Sequence, residues 1–144
     1  MKIALACDPA GLKLKRQIRE HLEANHEVVD LGCHSTEPAD YPDYANLVAE
    51  QVKRGSVDRG VLICGTGVGV SIAANRHKGV RAVVGTTALA AVMSREHNDS
   101  NVLCFGQWIP PAEEHTEIID AWLFGRFSNG EAHLRRIRKM DGQE

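Results

Sequence analysis

The chain has 144 residues, 25% of them charged, and a formal net charge of −2 at pH 7. A chain of this length buries a core without disulfides or metals, so residues 1–144 are predicted to form a single domain. The charge balance excludes a general nucleic-acid binder, which carries a dominant basic surface. No apolar run reaches membrane-spanning length, and Met1 leads into a strand pattern without a signal peptide. We therefore expect a cytoplasmic protein with no nucleic-acid or membrane partner.

The cysteines are well separated in the sequence and form no Cys-x-x-Cys pair. They are Cys7, Cys33, Cys64 and Cys104. This spacing argues against a zinc or iron–sulfur site. In a reducing compartment the four are expected to be free thiols, and we predict no metal site.

Strand-like and helix-like patterns alternate along the chain without a linker. The predicted strands are 2–7, 27–31, 59–63, 80–84 and 101–105. Apolar residues recur at helical spacing between them, as at Leu14, Ile18 and Leu22. Repeated β-α units of this length predict an α/β fold with a five-stranded parallel sheet covered on both faces. Such sheets bind ligands beyond the carboxyl ends of their strands, where Asp8 and Cys64 fall.

The segment from Val61 to Ser71 joins an apolar strand to a glycine-rich loop and a helix pattern. Cys64 ends the strand, and three glycines follow within five residues. Such a loop directs backbone N–H groups into one concavity before a helix, where an anion or a developing oxyanion binds beside the thiol. The alternative is a tight turn without a ligand. Nucleotide binding is disfavoured, because the glycine spacing fits neither the ATP-binding loop nor the dinucleotide fingerprint.

A second polar segment precedes the last strand. His97 followed by Asn98 and Asp99 offers a proton-transfer group with neighbours that orient it. The alternative is an exposed histidine before a turn. The histidines at 21, 26, 34, 77 and 115 lie among polar residues and are expected at the surface, whereas His133 has the position to join an anion site.

The tail predicts a helix over about 131–140 with few apolar residues. Basic side chains crowd most of its surface: Arg135, Arg136, Arg138 and Lys139. Either this is a solvated basic face, or the helix packs on a partner subunit and contributes an arginine to its site.

Several spaced motifs together resemble one family. The matching segments are Lys2-Ile3-Ala4 with Cys7-Asp8 and Ala10-Gly11; Asp40 to Ala45; Gly60 to Gly69; Ser71 to Asn75; Arg95 to Asp99; and Ile119 to Leu123. Over nearly its whole length the chain resembles type B ribose-5-phosphate isomerases and the related galactose-6-phosphate isomerase subunits. The resemblance implies a Rossmann-like three-layer α/β/α fold with an extra C-terminal helix. It also implies an aldose–ketose isomerase without metal or cofactor, whose homodimer, with a tetramer left open, builds its sites from both subunits.

The resemblance also implies the roles of individual residues. Cys64 is the base at carbon 2, Thr66 polarises it or the substrate, and His97 opens the sugar ring. Backbone N–H groups of the glycine-rich loop stabilise the enediolate oxygen: Gly65, Gly67, Val68, Gly69, Val70 and Ser71. The remaining substrate-binding positions are Asp8, Tyr41, Asn98 and Arg136.

Three positions depart from the family pattern, and in the family all three hold the substrate phosphate. Pro9 replaces a histidine, Trp108 an arginine after the last strand, and Ala132 an arginine near the C-terminus. Losing two charge-assisted contacts lowers phosphate affinity by about 10² to 10⁴ unless other groups replace them.

Several functions therefore stay open at the level of sequence. The first is isomerisation of ribose 5-phosphate to ribulose 5-phosphate, with other arginines such as Arg135 or Arg138 compensating. Others are isomerisation of a tetrose or hexose phosphate, or of an unphosphorylated sugar that stacks on Trp108. Outside enzymes, the alternative is a non-catalytic sugar-phosphate-binding partner subunit, against which the retention of Cys64 and His97 argues.

Overall fold

Five parallel strands form one sheet in this computed structural model, which describes residues 1–143. The strands are β1 (Lys2–Cys7), β2 (Glu27–Asp30), β3 (Arg59–Cys64), β4 (Ala82–Val84) and β5 (Val102–Gly106). Their order across the sheet is β2-β1-β3-β5-β4, and every neighbouring pair is parallel. The predicted five-stranded parallel sheet is confirmed, with strand limits within two residues of those expected.

Six α-helices surround the sheet. They are α1 (Leu12–Glu23), α2 (Tyr41–Lys53), α3 (Val68–Ala74), α4 (Ala88–Asn98), α5 (His115–Phe124) and α6 (Glu131–Met140). One core cluster joins the sheet to α1, α4 and α5, and a second joins its other face to α2 and α3. This is the predicted three-layer arrangement, and α6 is the predicted extra C-terminal helix.

Alternation along the strands explains why both faces of the sheet are buried. In β3, Val61 and Ile63 belong to one core cluster, and Leu62 and Cys64 belong to the other. Side chains of a strand point alternately to opposite faces, so a continuous apolar run supplies both cores. All four side chains are at most 5% exposed.

The fifth helix is held by the largest fully buried side chain, Trp122. Its Nε1–H donates to the Ser100 hydroxyl at 2.8 Å, just before β5 begins. The guanidinium of Arg59 lies 5.0 Å from the centre of the Trp122 ring and donates to its carbonyl. These contacts anchor the end of α5 beside the amino end of the sheet.

Because all strands are parallel, they begin together at one edge of the sheet, the amino edge, and end together at the other, the carboxyl edge. Cys64 pairs with Gly106 at the carboxyl edge, and Gly60 pairs with Val102 at the amino edge. Because α4 runs back from the carboxyl edge, its last residue, Asn98, lies near the amino edge where β5 starts. At about 3.3 Å per residue, the two edges are about 13 Å apart along β5.

The C-terminal helix contacts the rest of the chain at the amino edge and buries none of its residues. Arg81, just before β4, donates at 2.9 Å to the carboxylate of Asp141, which directly follows α6. The apolar side chain of Leu134 is 36% exposed. Among residues 1–143, no helix has the length and apolar character needed to cross a membrane.

Candidate active site

The glycine-rich loop holds the Cys64 sulfur at the carboxyl edge of the sheet. The Gly67 N–H donates to the Cys64 Sγ at 3.1 Å, which fixes the thiol against the loop. Gly67 has a φ of 79°, and a Cβ built there would lie 2.8 Å from the carbonyl carbon of Phe105. Both the left-handed angle and the close approach require glycine. The glycine spacing noted in the sequence therefore builds the contact to the thiol.

Hydrogen bonds within the loop organise the start of α3. The Val68 N–H donates to the Thr66 hydroxyl at 3.3 Å, and the Ser71 hydroxyl donates to the Val68 carbonyl at 2.8 Å. The Ser71 N–H donates to the Gly67 carbonyl at 3.2 Å. Three of the N–H groups predicted to face a substrate, those of residues 67, 68 and 71, are thus used inside the loop.

Two exposed aromatic rings flank this loop. A Cβ built at Gly65 would lie 2.5–3.0 Å from atoms of the Trp108 ring, and one at Gly69 would lie 2.8–3.2 Å from the Tyr41 ring. Trp108 is 69% exposed and Tyr41 is 41% exposed. The loop therefore lies between two rings, each packed on a glycine and each open to solvent.

Asp8 directly follows β1 and therefore also lies at the carboxyl edge of the sheet. Its Oδ1 accepts from the Gly11 N–H at 3.1 Å and caps a short turn that begins at Pro9. A Cβ at Gly11 would lie 2.6 Å from Ile63, so this turn packs closely on β3. Partial burial raises the pKa of the Asp8 carboxyl above its usual range and outweighs the backbone hydrogen bonds that lower it.

Gln107, which the sequence reasoning missed, connects the end of β3 to the first turn of α1 at this edge. Its N–H donates to the Cys64 carbonyl at 2.8 Å, and its side-chain Oε1 accepts from the Leu14 N–H at 2.8 Å. The next residue, Trp108, donates its N–H to the Gly65 carbonyl at 3.1 Å. The available signal was its position immediately after β5, at the carboxyl edge of a parallel sheet.

The second polar segment forms a separate group at the amino edge. The His97 ring is exposed, and its centre lies 4.6 Å from that of the His133 ring on α6. Ser128 Oγ and His133 Nδ1 are 2.7 Å apart. His133 thus belongs with His97 in this group.

Ionic contacts fix the end of α4 beside this pair. The Asn98 carbonyl accepts from Arg81 Nε at 2.9 Å. Asp99 has a φ of 46° and forms ion pairs with Arg81 at 3.2 Å and Arg95 at 2.7 Å. The backbone that carries His97 and Asn98 is therefore held in one conformation.

The predicted site residues fall into these two groups within one chain. Cys64, Thr66, Asp8 and Tyr41 lie with the loop glycines at the carboxyl edge. The other three, His97, Asn98 and Arg136, lie on α4 and α6, whose contact is at the amino edge. A single chain therefore does not bring its proposed base and its proposed ring-opening histidine together.

The expectation for His115 is wrong. This side chain is 1% exposed, and its ring packs edge-on against Phe105 with the centres 5.3 Å apart. Its ring nitrogens lie 3.1 Å from the Gly106 carbonyl oxygen and 3.2 Å from that of Ala112. A ring N–H donates to one of these backbone carbonyls, so the imidazole is buried although its sequence neighbours are polar.

The four cysteines are free, and all are buried. The sulfurs of Cys7 and Cys33 are 3.7 Å apart, and burial raises the pKa of the Cys7 thiol to about 12. Burial also raises the pKa of Cys104. Within the described residues, no cluster of His, Cys, Asp or Glu is suited to hold a metal ion.

The fold and the carboxyl edge define an α/β protein whose candidate reactive group, Cys64, ends a parallel strand, where proteins of this class bind their ligands. Comparison with known proteins agrees. The model of the ribose/galactose isomerase family matches residues 3–140. The ribose-5-phosphate isomerase B of Escherichia coli strain K12 is 48% identical over 144 residues, covering 99% of this chain and 96% of that protein.

Two further relatives extend the comparison. The structure of the Clostridium thermocellum ribose-5-phosphate isomerase B matches with a TM-score of 0.96 and 45% identity, covering 99% of this chain and 97% of that one. The D-erythrulose-4-phosphate isomerase 2 of Mycolicibacterium smegmatis is 35% identical over 148 residues, covering 100% of this chain and 97% of that protein. The chain belongs to the ribose/galactose isomerase family and is an isomerase. The predicted family and the Rossmann-like α/β fold are confirmed.

Proposed function

We propose that this isomerase converts ribose 5-phosphate to ribulose 5-phosphate without a metal or cofactor. The observation that carries the proposal is the thiol of Cys64, held at 3.1 Å by the Gly67 N–H at the carboxyl edge. The relatives named for ribose 5-phosphate, at 45% and 48% identity, support the choice of sugar. We also propose a cytoplasmic location, which the four free thiols support.

The reaction moves a proton between adjacent carbons of the open-chain sugar. As the thiolate, Cys64 removes the proton from carbon 2, and the electron pair of that C–H bond moves toward the carbonyl at carbon 1 to give an enediolate. Cys64 then returns the proton to carbon 1, while the hydroxyl proton at carbon 2 passes to the oxygen at carbon 1. Thr66, two residues after the thiol, polarises the reacting oxygens.

To stabilise the enediolate oxygen, a backbone N–H group must not already donate a hydrogen bond within the chain. In the described chain the N–H groups of Gly69 and Val70 make no hydrogen bond, unlike those of Gly67, Val68 and Ser71. They lie in the first turn of α3, directly after the loop whose Gly67 N–H holds the thiol. Donors placed in advance at a developing oxyanion contribute about 3–4 kcal/mol each to transition-state stabilisation.

Ring opening requires His97 from a second copy of the chain. His97 lies at the amino edge and Cys64 at the carboxyl edge of the same sheet, about 13 Å apart along the strands. We therefore propose a homodimer in which His97, Asn98 and Arg136 of each copy complete the other copy's Cys64 site. The exposed Leu134 on a helix that buries no residue supports a subunit contact there.

A four-carbon sugar phosphate is the second candidate substrate. One relative of nearly the same length is a D-erythrulose-4-phosphate isomerase. Pro9, Trp108 and Ala132 supply no cation where the resemblance expects three phosphate contacts, and this affects both sugar phosphates. The proton transfer at Cys64 is the same for either sugar.

A coupled isomerase assay tests both candidates. The purified protein is assayed with ribose 5-phosphate, tetrose and hexose phosphates and free pentoses. Cys64→Ala is expected to lower kcat on the preferred sugar by about 10² to 10⁴, the usual contribution of a general base. Cys33→Ala, which removes a thiol that is also 5% exposed, serves as the matched control and keeps the activity.

The outcomes separate the alternatives. Turnover of a tetrose phosphate without turnover of ribose 5-phosphate supports the second candidate. Near-normal activity of folded Cys64→Ala contradicts the assigned base. No turnover of any sugar, with ribose 5-phosphate still bound, favours the non-catalytic partner subunit.

A further inference from the structure

We propose that Trp108 is a specificity-determining residue, whose exposed indole face binds the C–H face of the substrate's carbon chain beside Cys64. The proposal rests on the function proposed above, because it assigns Trp108 to the same site. The proposed ligand has a hydrocarbon face, as a sugar does, and is not an inorganic anion.

The position of the ring is the first argument. Three atoms of the six-membered part of the indole lie 2.5–3.0 Å from a Cβ built at Gly65, so the ring packs on that glycine. Gly65 directly follows Cys64 in the chain. A molecule that reaches the thiol at this side of the loop therefore passes the ring.

The rigidity of the Trp108 backbone is the second argument. The Trp108 N–H donates to the Gly65 carbonyl at 3.1 Å, and the preceding N–H, of Gln107, donates to the Cys64 carbonyl at 2.8 Å. The Gly106 N–H donates to the Ile109 carbonyl at 3.0 Å and closes the turn. A ring held in place before binding loses little conformational entropy when a ligand stacks on it.

The exposure of the ring is the third argument. Trp108 is 69% exposed although the chain's other tryptophan, Trp122, is fully buried. Its indole N–H makes no hydrogen bond within residues 1–143, so a donor is available beside the apolar face. An aromatic face with one free donor is a typical lining for a small-molecule site.

Fluorescence tests the contact directly, because the chain has two tryptophans and only one is exposed. Cys64→Ala protein is titrated with ribose 5-phosphate, which it binds without turnover. We expect a saturable blue shift of the emission and weaker quenching by acrylamide. The same titration of Cys64→Ala with Trp108→Phe added shows no change, because only Trp122 then emits.

Two outcomes of this titration contradict the proposal. One is weak acrylamide quenching of Trp108 before any sugar is added, which shows that a partner chain covers the ring. The other is a blue shift caused by inorganic phosphate alone, which shows that the ring responds to loop movement and not to a sugar face.

Kinetics give an independent measurement. Trp108→Ala is expected to raise KM by about 3- to 10-fold, the usual contribution of an aromatic contact, with kcat within about twofold. Trp108→Phe retains most of the affinity. Phe124→Ala is the matched control, because Phe124 is an aromatic residue that is 84% exposed at the end of α5, near the other edge of the sheet.

Failure of this inference is distinguishable from failure of the proposed function. If the wild type does not isomerise ribose 5-phosphate but isomerises a tetrose phosphate, the same measurements are made with that sugar. If the wild type is active and Trp108→Ala has an unchanged KM, or a lowered kcat with an unchanged KM, Trp108 does not determine substrate binding.

Discussion

The backbone angle of Gly67 controls the position of the proposed catalytic thiol. Alanine at 67 has to adopt a φ of 79° and places a Cβ 2.8 Å from the backbone of Phe105. We expect Gly67→Ala to displace the loop and lower kcat by at least about 10²-fold, as small misplacements at reactive groups do. Steady-state assays on the preferred sugar measure the effect.

Gly55 offers a matched control for that substitution. It also has a positive φ, of 68°, but a Cβ there would meet nothing within 4 Å. Gly55→Ala is expected to cost about 1 kcal/mol in the free energy of unfolding and to leave kcat unchanged. Equal activity losses in the two variants would contradict this prediction. They would show that alanine at a positive φ lowers activity wherever it lies, and not through the position of the Gly67 loop.

The Cys7 thiol predicts a loss of stability at high pH. Its pKa rises from an ordinary value of 9.0 to about 12 in the folded protein, chiefly because it is buried. As the pH rises, the unfolded chain therefore loses this proton at a lower pH than the folded protein does. The contribution of the protonated thiol to the free energy of unfolding is complete below about pH 9 and is lost between about pH 9 and 12. Urea unfolding across this range is expected to show a steeper decline in the wild type than in Cys7→Ala. Parallel declines would contradict the assignment.

Prediction from sequence at the level of residues was uneven. Cys64 was identifiable as a candidate site residue because a thiol at a strand end before a glycine-rich loop is a local pattern. The contacts of Gln107 and the burial of His115 were not, because both depend on carbonyl groups that are remote in sequence. Local patterns identify candidate groups, and tertiary hydrogen bonds decide their surroundings.

At the scale of elements, an ion pair contributes to holding the C-terminal end of α6 against the domain. Arg81 binds the Asp141 carboxylate at 2.9 Å, with side chains 16% and 13% exposed. Asp141→Ala is expected to lower the free energy of unfolding by about 1–2 kcal/mol, since a charged hydrogen bond is lost while Arg81 keeps Asp99. The same variant is expected to weaken the contact between the His133 and His97 rings, because α6 carries His133. Urea unfolding and hydrogen exchange of the α6 amides measure the two effects.

A more exposed ion pair serves as the comparison for Asp141. Lys2 and Glu27 are 3.2 Å apart, with side chains 44% and 67% exposed. Glu27→Ala is expected to cost less than about 0.5 kcal/mol, as exposed pairs usually do. Unchanged exchange of the α6 amides in Asp141→Ala would mean that other contacts hold the helix.

The elements themselves were largely predictable, because the strands are continuous apolar runs buried on both faces. The helix patterns were equally clear: Leu14, Ile18 and Leu22 are at most 1% exposed. The strand limits differ most at β4, which begins at Ala82 instead of residue 80. There, Val80 is buried in the core next to β4 without belonging to the ladder.

At the scale of the whole molecule, the proposed division of the site between two edges predicts complementation. Cys64→Ala and His97→Asn are each expected to be inactive as homodimers. After subunit exchange, half of the dimers are mixed, and each mixed dimer contains one intact site, so about a quarter of the wild-type activity returns. Activity assays before and after mixing, with exchange confirmed by native mass spectrometry, measure this.

Absence of recovery after confirmed exchange would contradict the shared site. The separation of the two groups was not predictable from spacing in the sequence, because it follows from the strand order and from the direction in which α4 runs. Motif order identified Cys64 and His97 as candidate functional residues, but only the fold shows that one chain holds them at opposite ends of the strands.

The packing of the Trp108 ring on Gly65 also constrains how these two positions can evolve. A Cβ at 65 and the indole at 108 would compete for one volume, since they approach within 2.5 Å. A side chain at 65 is therefore accommodated only if the exposed indole moves away from Gly65, so the two positions are coupled. The residue beside the proposed catalytic thiol thus depends on a loop more than forty residues away in the sequence.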